Sequence, residues 1–234
     1  RPDPFETVEV LVNTWPTSRW LGEQLATANG ISSLVRFPFP GSRLRQLVRR
    51  VLDLPDQEED PWRATSLVWS VLELMPSLLE QPAARPLRVW LQQRDGDPSG
   101  LSRDRWQLAR AIADAFDDYA LYRPETLHGW LHGSCSASEE TDWQPLLAWQ
   151  LAASLHRQPF GLQVHSAVER LRSGAVDPQV LPKVIRLFGI SALAPVQVEL
   201  IQALSGSTDV QVFLLTPCRD LWQRCGNRRE QLGA

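Results

Sequence analysis

Residues 186–222 read RLFGISALAPVQVELIQALSGSTDVQVFLLTPCRDLW, and this stretch decides the fold. Two β-branched and aromatic runs, Val184 to Ile190 and Asp209 to Thr216, flank an amphipathic segment, Pro195 to Leu204, that opens at a proline. Apolar run, helix, apolar run is the pattern of a βαβ unit, whose parallel strands are buried on both faces and so read as nearly continuous hydrophobic sequence. Such a sheet carries its functional loops at the carboxyl ends of its strands, here Gly189 to Ala192 and Thr216 to Asp220. Those loops contain little reactive chemistry.

Working outward, Phe5 to Asn13 reads as another buried strand, ended by Thr14 to Pro16. Pro16 suits the first turn of a helix whose Trp20, Leu21, Gln24 and Leu25 are spaced to bury one face, and Asn29-Gly30 closes it. Arg36 to Pro40 is a stiff, proline-bracketed segment. The middle of the chain then reads as helical: Ser42 to Leu52 with Leu44, Leu47, Val48 and Val51 inward, Trp62 to Leu79, Leu87 to Gln93, Ser102 to Tyr122, Trp143 to His156 and Gln163 to Arg172. Ser102 caps the longest of these, and its broad apolar face predicts burial. The expected architecture is α/β: a parallel-sheet core from residues 1–41 and 177–234, interrupted by an all-helical insertion at 42–176.

Composition narrows the function. An apolar content of 43% with ten tryptophans supplies a substantial core, and no apolar run approaches the length of a membrane span. The chain begins at Arg1 with no leader pattern, so the expectation is a piece of a longer protein. Three cysteines, Cys135, Cys218 and Cys225, do not make a disulfide framework and fit a reducing cytoplasm. A formal net charge of -3 excludes a generically basic nucleic-acid binder. Lys183 is the one lysine among 24 basic residues, a bias that a GC-rich genome would also produce. Arg36, Arg43, Arg45, Arg49 and Arg50 lie beside Phe37 and Phe39, as a phosphate-contacting patch with stacking aromatics would require, and equally as a solvated helix face would.

Candidates for catalysis and metal binding fall short on spacing. Asp95, Asp97 and Gly100 suggest a calcium loop, but no ligating Glu closes it, and a turn is the better reading. Asp114, Asp117 and Asp118 cluster on one helix, with Arg110 one turn before Asp114 and able to pair with it; carboxylates that hold Mg²⁺ for phosphodiester cleavage usually have a lysine beside them, which is missing. His128, His132 and Cys135 could supply three zinc ligands and lack a fourth. Ser191 sits in GISAL and not in the G-x-S-x-G of a nucleophile elbow, and Cys218 has no histidine near it in sequence.

The blocks RLFGISALAPVQVELIQAL and DVQVFLLTPCRDLW, with DPFE, VLV, the Trp20 region, GISSLVRFPFP and AFDDYALYRP upstream, resemble the RecC family, the gamma subunits of exodeoxyribonuclease V. The blocks follow family order over nearly the whole chain. The resemblance implies a P-loop-helicase-like core domain with an inserted helical subdomain. It also implies a subunit without its own ATPase, cofactor or metal, which splits duplex DNA arriving from a partner motor and threads one strand toward a partner nuclease. Partners implied are single-stranded and forked double-stranded DNA, a RecB-like helicase/nuclease and a RecD-like helicase.

The residues agree with an inactive motor. A phosphate loop needs glycines ending in Lys-Ser/Thr, whereas Lys183 stands between Pro182 and Val184. The strand end that should carry acidic residues for Mg²⁺ reads Gly189-Ile190-Ser191-Ala192. No catalytic residue is therefore expected.

For DNA contact, the resemblance points to Asn13, Thr14, Trp15 and Arg19 on the first loop, to Phe39 and Arg45, and to Asp114, Asp117 and Arg123. Arg36 and Arg43 join them from the basic segment. The alternatives are structural: Trp15 in the core, Asp117 and Arg123 paired. Hot-spot-reading relatives carry glutamines and a glycine where this loop reads Asn-Thr-Trp-Pro-Thr-Ser-Arg, and tryptophan at the position of Arg45. Base-edge readout depends on particular donors and acceptors, so strand threading is the expectation and hot-spot recognition stays open. The rival readings are a scaffold for partner subunits without DNA contact, and a nucleotide hydrolase whose phosphate loop lies outside the chain.

Overall fold

The computed structural model describes residues 7–55, 59–94, 102–132 and 142–214. The described residues are mostly helical, with two small parallel sheets, and the chain divides into two compact units. One comprises residues 1–43, 182–193 and 208–234, the other residues 44–181 and 194–207.

In the first unit, β1 (Val8–Glu9) pairs in parallel with β2 (Val35–Arg36), and β3 (Val184–Phe188) pairs in parallel with β4 (Asp209–Phe213). The two sheets are joined through Leu11, whose N–H donates to the Arg186 carbonyl at 2.7 Å and whose carbonyl accepts from the Phe188 N–H at 2.9 Å. The strands thus line up as β2, β1, β3, β4. Val10, Leu11, Val12, Ile185 and Leu187 are buried, as central parallel strands require. The βαβ reading of the C-terminal stretch holds in strand direction, and the observed register sets Phe188 opposite Phe213. β2 was not foreseen, because a two-residue strand ahead of Phe37-Pro38-Phe39-Pro40 has no periodicity to show.

α1 (Trp15–Asn29) begins as expected. Thr14 is its N-cap, its hydroxyl accepting from the Thr17 N–H at 3.3 Å, and Pro16 sits in the first turn. Gly30 ends it in the left-handed region at φ 80°, where a Cβ would be strained. The expected burial is corrected: Trp20 is 52% exposed and Gln24 is exposed, while Leu21 and Leu25 are half-buried. Its packed positions are taken by small residues, Ser18 and Gly22, which let the helix approach its neighbours closely, so periodic spacing of the large residues misjudged the inward face.

α2 (Pro40–Val51) buries Leu44, Leu47, Val48 and Val51 as its spacing predicts. The second unit continues with α3 (Ala64–Glu80), α4 (Arg85–Gln92), α5 (Arg103–Tyr122), α6 (Pro124–His132), α7 (Trp143–Leu155) and α8 (Phe160–Arg172). Ser102 caps α5, accepting from the Arg105 N–H at 3.2 Å. α6 was not read from the sequence as a helix; Pro124 at its start and Glu125 in its first turn are the signals that could have found it. The core gathers Trp62, Leu67, Val71, Leu78, Ala109, Ile112, Phe116, Leu127, Leu147 and Leu151. The crossover helix of the βαβ unit, α9 (Pro195–Leu204), packs against α5 and α8 in this second unit.

Candidate nucleic-acid interface

Parallel pairing of β1 and β2 sends both strands toward the same sheet edge, so the segments that follow them emerge side by side. The Val10 N–H donates to the Arg36 carbonyl at 2.9 Å and the Val12 N–H to the Pro38 carbonyl at 3.2 Å, which keeps the two chains in step up to Asn13 and Phe39. At that edge the Trp15 ring meets the Phe39 ring edge-on, with centroids 5.5 Å apart and planes at 86°. Trp15 is 74% exposed, so it is not a core residue, and Phe39 is half-buried beneath it. An edge-to-face pair suits the quadrupoles of both rings and leaves the indole face open.

Around this pair Asn13 and Thr14 are exposed. Arg19 lies outward and pairs at 3.1 Å with Glu23 one turn on, a surface ion pair that solvent screens. Arg36 is exposed on β2. Arg43 behaves differently: its side chain is 11% exposed and bonds Glu9 of β1 at 2.8 Å. A second aromatic group of the same unit links Trp20 to Phe188 at 6.2 Å and Phe188 to Phe213 at 6.4 Å.

The remaining candidates belong to the helical unit, where Arg45 and Asp117 come together. The Arg45 side chain is 15% exposed and forms a short bond with Asp60; its other guanidinium nitrogen is 3.6 Å from Asp117, and the guanidinium lies over the Phe160 ring at 4.1 Å from its centroid. Burial pulls its pKa down, and Asp60 then works against that shift. Asp117 also reaches Arg63 at 3.6 Å and accepts from the Ala64 N–H at 3.2 Å, at the start of α3. The arrangement ties α2, α3, α5 and α8 by one charge cluster. Asp60, Arg63 and Phe160 were missed in the sequence because they stand 15 to 115 residues from Arg45 with no local pattern joining them.

Asp114 pairs with Arg110 through two contacts of 3.1 Å, as the one-turn spacing predicts. Arg123, at the end of α5, is exposed, and the pairing with Asp117 considered above does not form. The five-arginine patch is therefore not one surface: Arg43 and Arg45 are turned into ion pairs, and Arg49 donates to the Pro55 carbonyl at 3.3 Å.

His128 and His132 stack at 4.2 Å, and Cys135 lies outside the described residues, as do Cys218, Cys225 and the Asp95 to Gly100 turn. Among the described residues no group of three or more His, Cys, Asp or Glu could hold a metal ion. Nor is any helix among them long and apolar enough to cross a membrane.

Comparison with known proteins agrees in one direction. The family described as RecC, N-terminal domain matches residues 1–234. The RecBCD enzyme subunit RecC of Escherichia coli K12 is 32% identical over 94% of this chain and 20% of its own length. The proteins of the same name from Haemophilus influenzae and Mycobacterium tuberculosis are each 29% identical, over 94% and 95% of this chain and 21% of their own lengths. This chain thus spans about one fifth of the curated relatives it matches. On the match along its whole length, the chain belongs to the RecC family, in the part described as the N-terminal domain.

Proposed function

We propose that this chain is a non-catalytic, DNA-handling part of a RecBCD-type ATP-dependent helicase and nuclease, an exodeoxyribonuclease V, in the repair of double-strand breaks and recombination. Its sheet unit is a helicase-like core that has lost ATP hydrolysis, and its helical unit is the subdomain inserted into that core. The chain helps to part duplex DNA and guides one strand. Its partners are single-stranded and forked DNA, a RecB-like helicase/nuclease and a RecD-like helicase, in the cytoplasm.

The observation that carries this reading is the Trp15–Phe39 pair, an open indole face at the carboxyl edge of two parallel strands with Arg19 and Arg36 exposed in the same unit. Stacking on an exposed aromatic tolerates any base, and outward guanidinium groups contact the backbone without reading sequence. Asn13 and Thr14 offer polar contacts on the same loop. Arg43, Arg45 and Asp117 are spent on internal pairs, so in this proposal they hold the elements in place and do not touch DNA. Asp114 is likewise paired, and Arg123 remains a cation available on the helical unit. Loss of hydrolysis is supported by the strand end Gly189-Ile190-Ser191-Ala192, which has no carboxylate for Mg²⁺.

Fluorescence anisotropy with a labelled single-stranded oligonucleotide tests the reading. Trp15→Ala should weaken binding by roughly 5- to 100-fold, the loss of one stacked base, and Arg36→Ala by less. Wild-type chain that leaves the oligonucleotide free even at low salt would remove the DNA-contact assignment. A scaffold role gains from one observation: Val212, Phe213 and Leu214 at the end of β4 are 56%, 48% and 50% exposed, an apolar run suited to protein contact. That reading predicts capture of partner subunits without any oligonucleotide binding.

A further inference from the structure

The helical unit contains a groove whose charge is the opposite of a strand-binding surface. Its floor is α8, which packs against both α6 and α9, and those two helices form the walls. Glu125 and His128 stand on the α6 side, Leu162 and His165 on the floor, and Val196 and Glu199 on the α9 side. All of them belong to one compact unit. Leu162 and Val196 are buried, Glu125, His128 and His165 are exposed, and the Glu199 side chain is 40% exposed, so an apolar bottom carries a polar rim. Among the described lining residues there is no lysine or arginine. The volume is about 210 Å³. Clefts that hold small organic ligands enclose about 300–1,000 Å³, so this space suits one long side chain better than a cofactor.

The groove is formed before anything enters it. A Cβ built on Gly161, at the floor, would lie 2.3 Å from the Ala120 carbonyl oxygen and 2.8 Å from Cβ of Pro124, which itself lines the groove. α8 is therefore seated against the end of α5 and the start of α6 without slack, and the spacing of the rim is set in advance. Both carboxylates can take a new partner. Glu125 stands in the first turn of α6, where the helix dipole favours its negative charge, and no cation among the described residues pairs with it. Glu199 lies 3.7 Å from Arg172, whose side chain is 62% exposed. That separation exceeds a hydrogen bond, water screens it, and a carboxylate has about four acceptor sites. His165 lies 3.4 Å from Glu169 on its own helix.

We propose that this groove receives an arginine side chain of a partner protein, its methylene stem on Leu162 and Val196 and its guanidinium between Glu125 and Glu199. Two carboxylates on different helices, with no lining cation, select a positive charge. A long cationic side chain lays its stem on apolar surface and keeps its head at the wet rim. Guanidinium fits better than ammonium, because its planar fork has donors for carboxylates on two sides and it is the more weakly hydrated of the two cations. The same carboxylates would repel phosphate, so this contact is separate from strand binding and does not depend on it.

The imidazole NMR signals of the whole chain test this, because it has four histidines and two of them, His128 and His165, line the groove. The probe is the blocked tripeptide glycyl-arginyl-glycine, with its citrulline counterpart as the uncharged isostere and agmatine as a free guanidino compound. The arginine peptide should shift the signals of His128 and His165 and leave His156 in place, and the citrulline peptide should shift none. Glu125→Gln and Glu199→Gln should each weaken binding about 3- to 10-fold, with thermal unfolding as the folding control. Arg172→Ala, which removes the neighbour of Glu199, should tighten it. If the citrulline peptide binds as tightly as the arginine peptide, or both glutamine variants keep full affinity, the carboxylates do not hold a guanidinium and the proposal is overturned. It is overturned equally if the arginine peptide shifts all four histidines alike, or none. If agmatine binds more tightly than the peptide, the groove is a small-molecule site and the partner assignment fails.

Discussion

The arginines of this chain divide by what surrounds them. Arg45 sits among Asp60, Asp117 and the Phe160 ring with 15% of its side chain exposed, whereas the Arg19 side chain is 85% exposed. A mostly buried guanidinium has lost water and depends on its partners, so removing one is costly while trimming an exposed arginine is not. Asp117→Ala should destabilise the chain by about 2–4 kcal/mol, since it strips Arg45 of a carboxylate and leaves the Ala64 N–H without its acceptor; urea unfolding reads this as a lower midpoint at unchanged slope. Arg19→Ala should stay within about 0.5 kcal/mol of wild type in the same measurement. The difference also dictates which variants can report on DNA: loss of binding in Arg45→Ala would report unfolding as readily as a lost contact.

At the scale of elements, the tightest join is where α8 meets the end of α5 and the start of α6. A Cβ built on Gly161 would lie 2.3 Å from the Ala120 carbonyl oxygen and 2.8 Å from Cβ of Pro124. Backbone cannot swing aside as a long side chain can, so Gly161→Ala must push α8 away from α5. We expect a loss of about 1–3 kcal/mol, visible as a lower Tm with helical content retained at low temperature. α1 gives a contrasting case. Thr14 caps it, and its hydroxyl also lies 2.8 Å from that of Thr17, so Thr14→Ala should cost about 1 kcal/mol. Because Trp15 begins α1, fraying there should lower oligonucleotide affinity as well, and a helix-stabilising co-solvent should recover part of it.

Across the whole molecule, the net charge of -3 means that any binding to DNA is local. With few guanidinium groups facing outward beside the Trp15–Phe39 pair, we expect a shallow salt dependence. The slope of log K against log salt should be about -0.7 for each phosphate contacted, hence near -1 to -2 in total, against the far steeper slopes of broadly basic binders. Titration at several salt concentrations measures it directly. The sequence by itself determined the elements: the 3.6-residue spacing of Leu44, Leu47, Val48 and Val51, the caps Thr14, Ser102 and Gly30, and the two apolar runs around Pro195 to Leu204 each act within a few residues, where propensity and capping operate. The family pattern singled out Trp15 and Phe39 as candidates without bringing them together. Only the tertiary structure decided which charged and aromatic groups are free. Glu9 takes Arg43, Asp60 and Asp117 take Arg45, and small residues in α1 leave Trp20 outside, because these partners are brought together by chain reversal and packing over distances that no local pattern records.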